Sequence, residues 1–116
     1  MASVDIKLID GLYLIQPMPT QDLSLDLSRD DLAGFIKRNT EQLPMLVDLA
    51  RVRILQSSGV GLLFYLLVES QKVGMRVGFV NTSELVRKVL DIAGVDDIAK
   101  VYENVDQARQ DLVERQ

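Results

Sequence analysis

Met45-Leu46-Val47-Asp48-Leu49, then Gln56-Ser57-Ser58-Gly59-Val60-Gly61, then Leu62-Leu63-Phe64-Tyr65-Leu66-Leu67-Val68 is the stretch that decides the fold. The first run is short and apolar, with the character of a buried parallel strand. The last is apolar almost all round, as a helix covered on several faces must be. Between them a small, hydroxyl-rich turn puts two serines at a helix N-terminus. Backbone N–H groups without intrahelical partners, and the positive end of the helix dipole, favour negative charge there. Such a place can hold a phosphate, and here the hydroxyl that would carry it belongs to the chain itself.

Downstream, Gly74 is expected to end this helix, and Arg76-Val77-Gly78-Phe79-Val80 reads as a second strand. Two apolar strands joined by a buried helix form a βαβ unit, so they are expected to be parallel. Thr82 or Ser83 caps the next helix, whose Leu85, Val86, Val89, Leu90 and Ala93 make one broad stripe. Gly94 stands where a left-handed C-terminal residue is wanted. A weak strand at Val101-Tyr102 follows, and Asn104 with Gln107 can cap a last helix carrying Val105, Ala108 and Leu112.

Upstream, Ile6–Ile9 and Leu12–Ile15 flank Asp10-Gly11, a strong hairpin signal. Pro17 and Pro19 are expected to stop the second strand, because two prolines cannot both serve a central ladder. Residues 21–27 fit two readings. Leu23, Leu25 and Leu27 alternate like a strand, while the acids and serines between them suit a loop. Ser28 with Asp31 resembles a capping box with a shorter acid, and Leu32, Phe35 and Ile36 repeat at helical spacing, which predicts a first helix of about Arg29 to Asn39. The expected architecture is α/β: a small mixed sheet opened by an N-terminal hairpin and continued by βαβ units, with helices packed on it. Residues 1–116 are expected to form a single domain, with no internal repeat or linker.

Composition narrows the chemistry. Apolar residues make up 47% and charged residues 26%, as in ordinary globular chains. The chain has no His, Cys or Trp. It therefore lacks the commonest general base, thiolate chemistry, disulfides and nearly every transition-metal site. A net charge of −4 offers no basic stripe for nucleic acid. No apolar stretch follows a basic start, so no signal peptide is expected, and the run Val60–Val68 is too short to span a bilayer. These features predict a cytoplasmic domain with no membrane insertion, no nucleic-acid partner, and neither cofactor nor metal.

Gly59-Val60-Gly61 invites a dinucleotide reading, but Phe64 occupies the third glycine position and no Gly-Lys-Ser/Thr phosphate loop exists. Small residues that let a helix start close to the sheet explain the pair better. Asp30-Asp31 and Asp96-Asp97 are adjacent carboxylates without a second acidic cluster nearby. Nucleophilic catalysis by Ser57 or Ser58 would need a base, and without His only Lys or a carboxylate remains. No enzymatic activity is expected. Ser is also a leading N-cap residue, which contributes about 1 kcal/mol. On local chemistry alone each serine is therefore either a cap or a switch.

Leu46-Val47-Asp48-Leu49, Ser57-Ser58-Gly59-Val60-Gly61, the strand between Gly74 and Asn81, and Leu85 to Gly94 ending in Ala93-Gly94-Val95 occur in a telling order. From Met45 to Leu112 the chain resembles the second half of a STAS domain, the fold of bacterial anti-sigma-factor antagonists. That resemblance implies a partner-switching regulator of transcription. The unphosphorylated domain would bind a serine kinase that is also the anti-sigma factor, and so free the sigma factor. The kinase would then phosphorylate the first hydroxyl of an Asp-Ser-Ser/Thr-Gly turn, which a phosphatase resets. Carried over, the acceptor is Ser57, and Gln56, Ser58, Gly59 and Val60 surround it as the partner surface. Two features depart from the pattern. Gln56 stands in place of the motif's aspartate, and Pro17 and Pro19 stand where a glycine-acid turn follows the second strand. Two alternatives fit the same resemblance: a non-phosphorylated STAS subunit contacting the ATPase of an ABC-type lipid transporter, and a ligand-sensing STAS domain. A second copy of the chain is a further candidate partner, on the outer face of the central helix.

Overall fold

In the computed structural model, which describes residues 4–18, 29–95 and 98–113, Asp10 and Gly11 reverse the chain with φ of 47° and 88°. Positive φ at both positions, with Ile9 paired to Leu12, makes the two-residue turn that suits a twisted hairpin. It joins β1 (Val4–Ile9) to β2 (Leu12–Pro17). The chain continues through α1 (Arg29–Arg38), β3 (Met45–Asp48), α2 (Ser57–Lys72), β4 (Val77–Val80), α3 (Glu84–Ile92), β5 (Lys100–Tyr102) and α4 (Val105–Leu112). The sheet order is β1-β2-β3-β4-β5. The hairpin is antiparallel and every later pair is parallel, which is the expected mixed sheet.

The strand β2 runs on to Pro17, past the expected stop. Its parallel pairing with β3 already ends at Ile15, so the N–H that proline lacks falls beyond that ladder. Pro19, the ambiguous Leu23, Leu25 and Leu27, the capping-box Ser28 and the pair Asp96-Asp97 lie outside the described residues.

Residues two apart on a strand share a face, and the alternation here divides the core in two. Ile15, Met45, Val47, Val77 and Phe79 face α1, α2 and α3, meeting Leu32 and Ile36, then Leu63, Leu66 and Leu67, then Val86 and Leu90. Leu12, Leu14, Leu46 and Val80 face the other way, against Ala108 and Leu112 of α4. Gly78 lies on this second face. A Cβ there would come within 2.5 Å of the Tyr102 ring and 3.2 Å of Leu112, so the missing side chain is what lets α4 and β5 close down.

Local punctuation follows the chemistry of the ends. Gly74, at φ 74°, and Met75 turn their N–H groups back onto the carbonyls of Gln71 and Ser70 and close α2 in a Schellman motif. Gly94, at φ 80°, ends α3 with its N–H on the Asp91 carbonyl at 3.1 Å. The Ser83 hydroxyl accepts the Val86 N–H, and Asn104 Oδ1 accepts the Gln107 N–H at 2.9 Å, each capping its helix. Asn39, buried at the end of α1, exchanges hydrogen bonds with the backbone of Leu43 and so shapes the entry to β3.

Candidate functional site

The strand β3 is apolar until its last residue, Asp48, which it delivers to the C-terminal end of the parallel sheet. Asp48 is only 8% exposed, and a carboxylate that deep must be satisfied by donors. Gln16 Nε2 donates to Oδ2 at 3.0 Å; the Ala50 N–H and Asn81 Nδ2 donate to Oδ1 at 3.0 and 3.1 Å. The donors come from the end of β2, from the loop leaving β3 and from the residue after β4. One carboxylate thus ties three strand ends together. Gln16, Asp48, Ala50 and Arg51 surround a cavity of about 210 Å³ beside it.

The loop from Leu49 to Gln56 carries the chain from that clamp to α2. The Leu49 N–H donates to the Val80 carbonyl at 3.0 Å, and Leu49, Val52 and Leu55 are buried. Ala50, Arg51 and Arg53 between them are exposed. Three apolar pegs hold the loop in one course across the sheet end, under an exposed rim of Ala50, Arg51, Arg53 and Ile54. Arg51 reaches back to the hairpin, 3.7 Å from the Asp5 carboxylate and 2.8 Å from Met18 Sδ.

The helix α2 opens one residue earlier than the serine-cap reading requires. Gln56, extended at φ −81° and ψ 169°, is the N-cap, and its carbonyl accepts the first helical bond from the Val60 N–H at 3.0 Å. Its side chain makes no cap hydrogen bond. Ser57 and Ser58 are therefore the first two residues inside the helix, and neither is the N-cap. Both are exposed. The first turn holds no acidic residue, so among the described side chains none of α2's own acids offsets the positive end of its dipole.

The other residues assigned to a partner surface divide. Gln56 and Ser58 are exposed beside Ser57. Gly59 is buried in the first turn of α2, so it adds little to such a surface. Val60 is half-buried and packs on the main core, so it is only partly available. Asp30 and Asp31 are exposed in the first turn of α1, and among the described residues no three His, Cys, Asp or Glu side chains gather as metal ligands would. No described helix is long and apolar enough to cross a membrane. Asp48, Gln16 and Asn81 were not legible as a group. The signal available was a lone acid closing an otherwise apolar strand.

Chemically, the arrangement presents a hydroxyl in a first helical turn that carries no acid, on a loop braced from below. The STAS domain family model matches residues 24–108. The chain belongs to the STAS domain family. This match reaches upstream of Met45, where the resemblance of motifs began.

Solved structures with the same fold as this STAS domain include a Thermotoga maritima protein described as a candidate anti-sigma factor antagonist, 19% identical, with a TM-score of 0.73 over 94% of this chain and 93% of that one. Moorella thermoacetica RsbS carrying a serine-to-glutamate substitution is 13% identical, with a TM-score of 0.74 over 95% and 96%. The Bacillus cell-fate determinant SpoIIAA in its phosphorylated form is 16% identical, with a TM-score of 0.65 over 92% and 97%. Pro17, one of the two departures from the pattern, still pairs with Val4 at the end of the hairpin. No curated protein sequence matches the chain.

Proposed function

We propose that this STAS domain is a cytoplasmic, non-catalytic interaction module of a partner-switching pathway, an antagonist of an anti-sigma factor. Its partner is a serine kinase that docks on the exposed start of α2, and phosphorylation of Ser57 releases that partner. The observation that carries this reading is the position of Ser57: exposed, inside the first turn of α2 rather than capping it, with no acid in that turn. In the transfer the Ser57 Oγ attacks the γ-phosphorus of ATP, its proton passes to the kinase, and ADP leaves. The product carries a charge of about −1.5 to −2 next to N–H groups that have no intrahelical partner, which the helix end stabilises. Release then follows from bulk and charge at the contact surface, without a change of fold.

The reading draws support from a fold relative described as an anti-sigma factor antagonist, SpoIIAA, which is solved both unphosphorylated and phosphorylated. The test is capture followed by transfer. Immobilised domain is used to isolate its binding protein, which is identified by mass spectrometry and incubated with the domain and ATP. Capture of a serine kinase, and a gain of one phosphate by the domain, are expected. A captured transporter ATPase with no mass gain refutes the reading in favour of a constitutive subunit.

A further inference from the structure

At the end of the sheet opposite Ser57, the C-terminal part of α2, the entries to β4 and β5 and the end of α4 enclose a groove of about 390 Å³. That volume is within the range of small-molecule sites. Its floor is apolar: Leu67, Met75, Val77, Ala99 and Leu112 are all buried, and Ile98, 40% exposed, forms a rim. Gly74 at the mouth leaves open space where a side chain would stand.

The polar end of this groove is unequal in charge. Arg76 and Lys100 both line it, and no acid is among its described lining residues. The carboxylate facing those cations, Asp111, lies outside the lining. Its Oδ2 accepts the Tyr102 hydroxyl at 2.5 Å and is 3.5 Å from Lys100 Nζ and 3.8 Å from an Arg76 nitrogen. Arg76 is steadied further by donating to the Asp111 and Leu112 carbonyls. One carboxylate behind the wall therefore orients two cations whose combined charge exceeds its own. An apolar trough that ends at a positive rim matches a molecule with an apolar body and one negative end.

We propose that this groove binds a small amphipathic carboxylate, its hydrocarbon part along Leu67, Met75 and Ile98 and its carboxylate on Lys100 and Arg76. The site is separate from the Ser57 surface and stands whether or not Ser57 is phosphorylated.

The test is an NMR titration of the full chain with sodium decanoate, beside decyltrimethylammonium, which has the same tail and the opposite charge. Saturable shifts at Met75, Ile98, Ala99 and Lys100 are expected with decanoate, and binding at least several-fold weaker with the cation. Lys100→Glu, at an exposed position, is expected to keep the native spectrum and weaken decanoate about threefold to fivefold, as loss of an exposed ion pair does. Ile98→Asp provides a second variant, which removes the apolar rim. The proposal is overturned by no saturable shift up to about 5 mM decanoate, a concentration that reaches millimolar affinities. It is equally overturned by shifts confined to another surface, by equal binding of the two amphiphiles, or by decanoate affinity unchanged in both variants.

Discussion

Asn81 donates its side-chain amide to the Asp48 carboxylate at 3.1 Å, across the C-terminal ends of two neighbouring parallel strands. Asn81 sits at φ 60°, a left-handed conformation that asparagine tolerates better than most residues. Asp48→Ala would leave the Gln16 and Asn81 amides and the Ala50 N–H without their acceptor. We expect a loss of about 2–4 kcal/mol, since hydrogen bonds to a charged group are worth more than neutral ones and orphaned donors add a penalty. Asp48→Asn keeps one acceptor oxygen but turns an NH₂ toward a donor, and should cost less than alanine. Urea unfolding of the two variants checks this; a loss below roughly 0.5 kcal/mol for alanine would mean that the clamp contributes nothing.

Gly78→Ala tests the second face of the sheet. The added Cβ would meet Tyr102 Cε2 at 2.5 Å, and that ring cannot simply swing away because its hydroxyl is held by Asp111. Overpacking of this kind typically costs about 1–3 kcal/mol. The same change made in a Tyr102→Ala background should cost much less, and a double-mutant cycle by thermal or urea unfolding measures the difference. Additive losses would show that the crowding is relieved by backbone movement instead.

Leu63 and Leu67 lie one turn apart on α2, 0% and 2% exposed, in the larger core. Each truncation to alanine should cost about 2–5 kcal/mol. Val68, 45% exposed on the same helix, is the control, and Val68→Ala should change stability by less than about 0.5 kcal/mol. Equal losses at all three positions would contradict the packing of α2.

The cluster behind the groove sets a dependence on pH. The Tyr102 hydroxyl, and then Lys100 and Arg76, hold the Asp111 carboxyl below its ordinary value of 3.8. A native pKa lower than the unfolded one gives stability that is complete above the unfolded value and lost as pH falls through the native value. Burial, reinforced by Asp111, raises the Tyr102 phenol above 10.0, so that contribution is complete below the unfolded value and fades as pH rises beyond it. Asp111→Asn should therefore flatten the acid limb of a plot of Tm against pH. Unchanged slopes at both ends would show that the cluster contributes no linkage.

What was legible in the sequence obeys short-range rules. The Asp10-Gly11 turn, the caps at Ser83 and Asn104 and the left-handed Gly74 and Gly94 each depend on residues within one turn of the chain. The parallel strands followed from apolar runs too short to be helices. Two things were not legible for one reason. The Asp48 clamp joins residues 32 and 33 positions apart, which only the parallel register brings together. The start of α2 likewise depends on tertiary anchoring: buried Leu55 ends the loop, Gln56 becomes the cap, and both serines pass into the helix despite their better capping chemistry. Gly59, which the resemblance places in the partner surface beside Ser57, is buried in the first turn of α2.

Gln56 and Ser57 carry the last prediction together. Gln56 holds the N-cap position without a side-chain hydrogen bond, whereas aspartate there can accept an N–H of the first turn and complement the dipole. Gln56→Asp should therefore raise stability by about 0.5–1 kcal/mol. It should also raise the rate at which a serine kinase modifies Ser57, if the shorter, better-anchored cap holds the hydroxyl steadier. Ser57→Asp should fold normally, because an acid in the first turn is favourable, yet bind the partner at least several-fold less well. Ser57→Ala should bind as wild type does and gain no phosphate. Ser58→Arg, exposed and beside the acceptor, should weaken binding without unfolding; it is a cleaner probe than Val60→Glu, because Val60 packs partly on the core. Intact mass after incubation with kinase and ATP, read beside partner affinity by calorimetry, decides the matter. A mass gain that persists in Ser57→Ala would move the acceptor elsewhere. Wild-type affinity in both Ser57→Asp and Ser58→Arg would remove the start of α2 from the interface.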